Sequence, residues 1–202
     1  FLSDAWTGAR DGSVSSRESG SAFFRKKTKD IKPFAPSCSR GNRTRYFLKV
    51  QDGCDYFCTY CAIPAIRGEF RSRPSDSILA EAQKLANEGV KELIVVAQDT
   101  TRYGEDLYGK NALVPLVKAL SKIDGIEWIR LLYLYPERID DALIDEIASN
   151  DKIVKYMDIP LQHCDKNVLK RMNRHGDRES LTALLNKIRG KVEGITIRTT
   201  FI

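Results

Sequence analysis

Cys54, Cys58 and Cys61 fall within the run Cys54-Asp55-Tyr56-Phe57-Cys58-Thr59-Tyr60-Cys61, spaced C-x3-C-x2-C, with no fourth cysteine close behind. Three thiolates on so short a loop are spaced to serve as metal ligands. They can hold three corners of a [4Fe-4S] cube and leave the fourth iron without a protein ligand, open to chemistry. The alternative is structural zinc, which asks for four tetrahedral ligands, usually in two pairs. Its fourth ligand has to be Cys38, Cys164, His163 or His175, and none completes a second C-x2-C or H-x3-H pair. Reduced structural thiols are the third reading, and spacing alone leaves all three standing.

The elements that position this loop belong to an ordinary globular composition, 42% hydrophobic and 30% charged over 202 residues. No apolar run reaches the roughly 18 residues that a membrane helix needs, so no membrane partner is expected. The first residues do not read as a signal peptide. With no initiator Met at Phe1, the chain is expected to be a fragment or a processed piece. Five cysteines, three of them clustered, speak against a disulfide framework and for a reducing, cytoplasmic compartment.

Charge is unevenly placed. Residues 1–50 carry eleven Lys/Arg against four Asp/Glu, and the remainder 22 against 23. The head, residues 1–44, is rich in Ser, Gly and basic residues and lacks periodicity, which predicts a linker or disordered segment. Cys38 within it reads as a free thiol. Such a basic tail can bind RNA, or simply be solvated.

From Arg45 onward strands and helices alternate. Strands are expected at Tyr46–Val50, Leu93–Ala97, Trp128–Tyr133, Val154–Ile159 and from Ile195. Ser75 is expected to cap a helix that stops at Gly89, with further helices over 113–123, 140–149, 165–172 and 180–189. The fold class is therefore α/β with parallel strands and crossover helices. It is either an open doubly wound sheet or a barrel, whole or partial, of the triosephosphate-isomerase kind. In both, functional groups gather at the carboxyl ends of strands. The polar clusters do follow strands: the cysteines, Gln98-Asp99-Thr100-Thr101, Tyr135-Pro136-Glu137 and Gln162-His163. A glycine-rich phosphate loop is missing after the first strand, which counts against a dinucleotide fold.

The cysteine spacing, Tyr60 before the third cysteine and the preceding strand together resemble the radical S-adenosylmethionine superfamily. Seven blocks in order narrow this. They are the cysteine loop through Pro64, Arg67-Gly68, Arg71-Ser72-Arg73-Pro74, Ala97-Gln98-Asp99-Thr100-Thr101, Tyr103-Gly104, Asp158-Ile159-Pro160-Leu161-Gln162-His163 and Ile197-Arg198-Thr199-Thr200. They resemble the methylthiotransferases, and within them the branch that modifies the β-carbon of an aspartate in a small-subunit ribosomal protein. The tRNA-adenosine branch usually shows Gln-Asn in place of Gln98-Asp99 and Gln-Ser-Gly in place of Gln162-His163-Cys164.

That resemblance implies a partial parallel (βα) barrel over residues 45–202. It implies a [4Fe-4S] cluster with one open iron on Cys54, Cys58 and Cys61, and S-adenosylmethionine chelated there and cleaved to a 5′-deoxyadenosyl radical. Tyr60 is implied near the adenine. A second [4Fe-4S] cluster is expected in the family, but its three cysteines are missing here. The chain stops in its fifth strand, so the fragment is expected to fall short of full methylthiolation. Implied partners are the ribosomal protein, with tRNA as the alternative substrate, and an electron donor such as flavodoxin or ferredoxin. A non-catalytic metal-stabilised α/β module is the second alternative. Among further candidates, Gln98 and Gln162 are placed in the cofactor pocket and Arg198 on the cofactor carboxylate, with a structural salt bridge as the alternative for Arg198. His163 is read as a capping or supporting residue, Asp99 as a possible base the chemistry does not require, and Cys164 as packing. Arg67, Arg71 and Arg73 are candidates to face an acidic substrate loop or phosphates.

Overall fold

The computed structural model describes residues 43–202. The predicted head and Cys38 lie outside the described residues, apart from positions 43 and 44. Five strands form one parallel sheet: β1 (Arg45–Lys49), β4 (Glu92–Val96), β5 (Trp128–Leu131), β6 (Ile153–Asp158) and β7 (Thr196–Arg198), in the order β1-β4-β5-β6-β7. Between the first two lies a short antiparallel pair, β2 (Gln51–Asp52) and β3 (Arg71–Ser72).

Strand order follows chain order without reversal. A doubly wound sheet needs a reversal, and its switch point is where such folds bind ligands. Steady addition of strands in one direction instead builds a segment of barrel. The strands show why one face is covered. Tyr46, Leu48 and Val50 are buried with Leu93, Val95, Ile129 and Met157 in the single hydrophobic core. Phe47 and Trp128, on the other face, stay 52% and 51% exposed. The period-two alternation thus separates a helix-covered outer face from an inner face. β4 is buried over its first four positions, as its continuous apolar run predicts.

The covering helices are α1 (Ile63–Arg67), α2 (Ser75–Asn87), α3 (Glu105–Tyr108), α4 (Leu113–Ser121), α5 (Asp141–Ser149), α6 (Lys166–Arg171) and α7 (Arg178–Lys191). Helix α2 buries Ile78, Ala82 and Leu85, and α4 buries Leu113, Leu116, Val117 and Leu120. Asp140 caps α5 by accepting from the Leu143 N–H at 2.8 Å. Asp165 caps α6 through Asn167 and Val168.

Three expectations need correction, and one helix was not foreseen. The cap of α2 is Pro74, and Ser75 is its first helical residue; the Ser75 N–H is satisfied by the Tyr108 hydroxyl at 3.0 Å. The stretch 71–74 starts as β3, and Arg73, a candidate to face a substrate loop or phosphates, is instead buried against Glu81, Ser77 and the Lys49 carbonyl. Cys164 is exposed and does not pack. Helix α1, right after the cysteines, carried too few residues for its period to show.

Candidate active site at the cysteine loop

Residues 53–62 run from β2 to α1 without regular structure. Gly53 starts the loop at φ +76, pressed against the next turn: a Cβ there would sit 2.0 Å from the Glu69 carbonyl oxygen. The Cys54 N–H donates to the Gly68 carbonyl at 3.1 Å, and the Cys61 N–H to the Cys58 carbonyl at 2.9 Å. These bonds close the loop at both ends.

Its middle is held from far along the chain. The Thr59 N–H donates to the Met172 carbonyl at 3.2 Å, and the Thr59 hydroxyl to the Arg171 carbonyl at 3.1 Å. Asn173 Nδ2 donates to the Tyr56 carbonyl at 2.7 Å. Tyr56 stacks on Tyr135 at 4.3 Å between centroids, and its hydroxyl donates to Asp99 at the end of β4. Asp99 is 2% exposed and also accepts from the Thr101 N–H and hydroxyl. Burial raises its carboxyl above the usual range, and the Thr101 and Tyr56 donors oppose that rise. Asp99 therefore works as an anchor for the loop.

All four non-glycine residues with positive φ among those described belong to this neighbourhood: Phe57, Tyr133, Gln162 and Asn173. Such backbone persists only where its surroundings over-determine it, and it concentrates at functional sites.

The three cysteines line one cavity of about 580 Å³, together with Tyr60, Gln98, Gln162, Tyr133, Tyr135 and Arg174. Its walls come from the loops after β2, β4, β5 and β6. Three thiol donors lining a cavity of this size fit a cluster held through three of its irons. Burial pushes the Cys54 thiol up to about 11, so metal binding there must displace a proton.

Each sequence candidate has a definite place. Gln98 lines the cavity, and its buried Oε1 has no hydrogen-bond partner. Gln162 lines it from a left-handed backbone fixed by the Thr200 carbonyl and the Ile202 N–H. Arg67 is exposed at its edge. Arg198 lies outside its lining and pairs with the buried Asp158 at 3.2 Å. His163 accepts the Asp165 N–H through Nδ1 at 2.9 Å, next to the cap of α6. His175 lines a separate recess. Tyr133, Tyr135 and Arg174 were not among the sequence candidates for the cavity. Tyr135 gave a signal as part of a polar cluster after a strand. Arg174 gave none: left-handed Asn173 turns the chain at the end of α6 and sends Arg174 inward.

The sequence model of the Radical SAM superfamily matches residues 48–202. Curated relatives include the ribosomal protein uS12 methylthiotransferase RimO of Clostridium botulinum (strain Eklund 17B / Type B), 56% identical over 77% of this chain and 35% of the relative. The protein of the same name from Acetivibrio thermocellus is 55% identical over 77% of this chain and 34% of its own length. The chain thus spans about a third of the length of these relatives. Among solved structures, the radical S-adenosylmethionine methyltransferase TsrM of Kitasatospora setae, with cobalamin and a [4Fe-4S] cluster bound, superposes with a TM-score of 0.60. It is 16% identical, over 77% of this chain and 30% of that one. The cobalamin-dependent radical enzyme OxsB gives 0.57 at 14% identity, over 77% and 23%. At such identities these two likenesses speak for the fold alone.

Proposed function

Since this chain belongs to the Radical SAM superfamily, we propose that it is the radical-generating core of a methylthiotransferase acting on the β-carbon of an aspartate in ribosomal protein uS12. The observation that carries this reading is the set of three cysteines lining one cavity with Gln98 and Gln162 at the carboxyl ends of the strands. The names of the curated relatives support the substrate.

In this reading Cys54, Cys58 and Cys61 hold a [4Fe-4S] cluster through three irons. When bound, the cluster supplies one electron to cleave S-adenosylmethionine at its open iron. The unpartnered Gln98 Oε1 offers an acceptor to the cofactor's amino group. Tyr60, at the cavity wall, would lie against the adenine, and Gln162 lines the same space. Arg198 already holds Asp158, which leaves the cofactor's carboxylate to another group. The second cluster belongs, in this reading, to the part of the relatives that this chain does not span. The electron comes from a flavodoxin or ferredoxin, and the reaction is cytoplasmic. Among the described residues no helix is long and apolar enough to cross a membrane.

The rim favours a protein over tRNA. Two recesses flanking the cavity carry Asp55, Glu69, Glu105, Asp106 and Glu137. Of the arginines there, Arg102 pairs with Asp55 and Glu105, and Arg138 with Glu105. Phosphate backbones are repelled by such a rim, and basic ribosomal-protein segments suit it.

Anaerobic reconstitution with iron and sulfide tests the core. Broad visible absorbance is expected, and its loss in the triple variant C54A/C58A/C61A. Uptake of one zinc and no iron defeats the reading. Mass analysis of uS12 and of tRNA, from cells with and without the complete gene, decides the substrate.

A further inference from the structure

Arg174 carries a permanent charge and is only 6% exposed. Its Nη2 donates to the Pro160 carbonyl at 2.9 Å. Its guanidinium carbon lies 3.9 Å from the centroid of the Tyr135 ring. Its buried Nε has no hydrogen-bond partner. The buried Arg73 is matched by Glu81, whereas no carboxylate among the described residues pairs with Arg174. A buried charge without a counterion is strongly disfavoured unless an anion arrives to meet it.

The cavity tells which anion. Arg174 lines the same space as Cys54, Cys58 and Cys61. The Tyr135 ring beneath it lines that space as well, together with Tyr60. Three thiolates outweigh the positive charge of a cube, so the loaded site is anionic, and reduction adds one more negative charge.

We propose that Arg174 is the built-in countercharge of the iron–sulfur cluster and that it eases the cluster's one-electron reduction. The inference rests on the cluster reading above. A low-potential one-electron donor gives up an electron, and the cluster takes it. No proton needs to follow, because Arg174 is charged beforehand. In a site screened little by water, that fixed charge favours the reduced form, and local charge and hydrogen bonds to the sulfurs are what set cluster potentials.

The test uses the 202-residue chain, reconstituted anaerobically, as wild type, R174Q and R174K. Each is titrated with dithionite at set potentials and followed by electron paramagnetic resonance, with iron and sulfide content measured alongside. S-adenosylmethionine is left out, so its carboxylate contributes nothing. At a fixed potential the reduced-to-oxidised ratio is expected to fall about tenfold in R174Q, a shift of about 59 mV for one electron. R174K is expected to recover most of it. A loaded R174Q that titrates like wild type overturns the proposal. If R174Q fails to keep its cluster, R174K decides: retention supports a role for charge, and loss in both variants overturns it in favour of packing on Tyr135 and Pro160. A wild type that takes up no iron removes the cluster reading itself, and this inference with it.

Discussion

The Tyr56 hydroxyl donates to Asp99 Oδ2 at 2.8 Å, joining the cysteine loop to the carboxyl end of β4. Tyr56→Phe keeps the stack on Tyr135 and removes this donor. Asp99 then loses one of the groups that offset its burial. Stability is expected to fall by about 1–2 kcal/mol in urea titrations, within the range for a buried group left short of a partner. Iron retention is expected to fall with it.

Asn173 clamps the same loop by a side-chain bond to the Tyr56 carbonyl while adopting φ +57 itself. Asn173→Gly loses the clamp and keeps the backbone. Asn173→Ala loses both, with about 1–2 kcal/mol of left-handed strain added. Both variants should surrender iron to a chelator faster than wild type, and only the alanine variant should also show a clear drop in melting temperature.

Gly53 is the one place in the loop where a side chain has no room, since an added Cβ meets backbone and not a flexible chain end. Gly53→Ala is expected to break the β2–β3 pairing or displace Cys54. Iron uptake should be lost under reconstitution conditions that load wild type fully.

Arg73 holds Glu81, Ser77 and the Lys49 carbonyl beneath the inner end of β1. Arg73→Leu leaves the part-buried Glu81 without its cation. A loss of about 3–5 kcal/mol is expected, as for other broken buried pairs, read from the urea midpoint. The result also separates this arginine from any substrate role, because a residue that only faces a ligand would leave the midpoint unchanged.

How much of this was legible in advance depends on the range of the interaction. The β4 run, the α2 period, the helices beginning at about Asp140 and Asp165 and the cysteine spacing are local patterns, and they appear where the sequence predicts them; that Asp140 caps its helix and does not start it was not foreseen. Corrections fall where distant contacts decide. Arg73 looks like a surface arginine until Glu81 closes over it. Ser75 has the right chemistry for a cap, but Pro74 takes the capping position and the Tyr108 hydroxyl satisfies the Ser75 N–H. Arg174 and Tyr135 reach the cavity through a left-handed turn and a loop, neither of which has a period. The blocks around Gln98 and Gln162 were visible as polar residues after strands, whereas the left-handed backbone that aims Gln162 was not.

On the far side from the cavity, Lys187 and Lys191 of α7 bond the Asp141 carboxylate of α5 at 2.7 and 2.8 Å. Lys187 first, then Lys191, lowers Asp141 from its ordinary 3.8 to about 2. A depressed carboxylate stabilises the fold above its unfolded value and loses that effect as pH falls through its folded one. The melting temperature should therefore drop between pH 4 and pH 2, and Asp141→Asn should flatten that slope. The pair is exposed, so added salt should shrink the difference.

The bond from Asn173 to the Tyr56 carbonyl spans 117 positions. During synthesis at about 5–20 residues per second, the cysteines emerge roughly 6–23 s before the residue that secures them. Until then the loop lacks its clamp and its Arg174, although Tyr135 has already been made. On the cluster reading, loading is thereby tied to completion of the helix that follows β6: a chain that stops short of Asn173 presents bare thiols, and one made through Arg174 presents a socket.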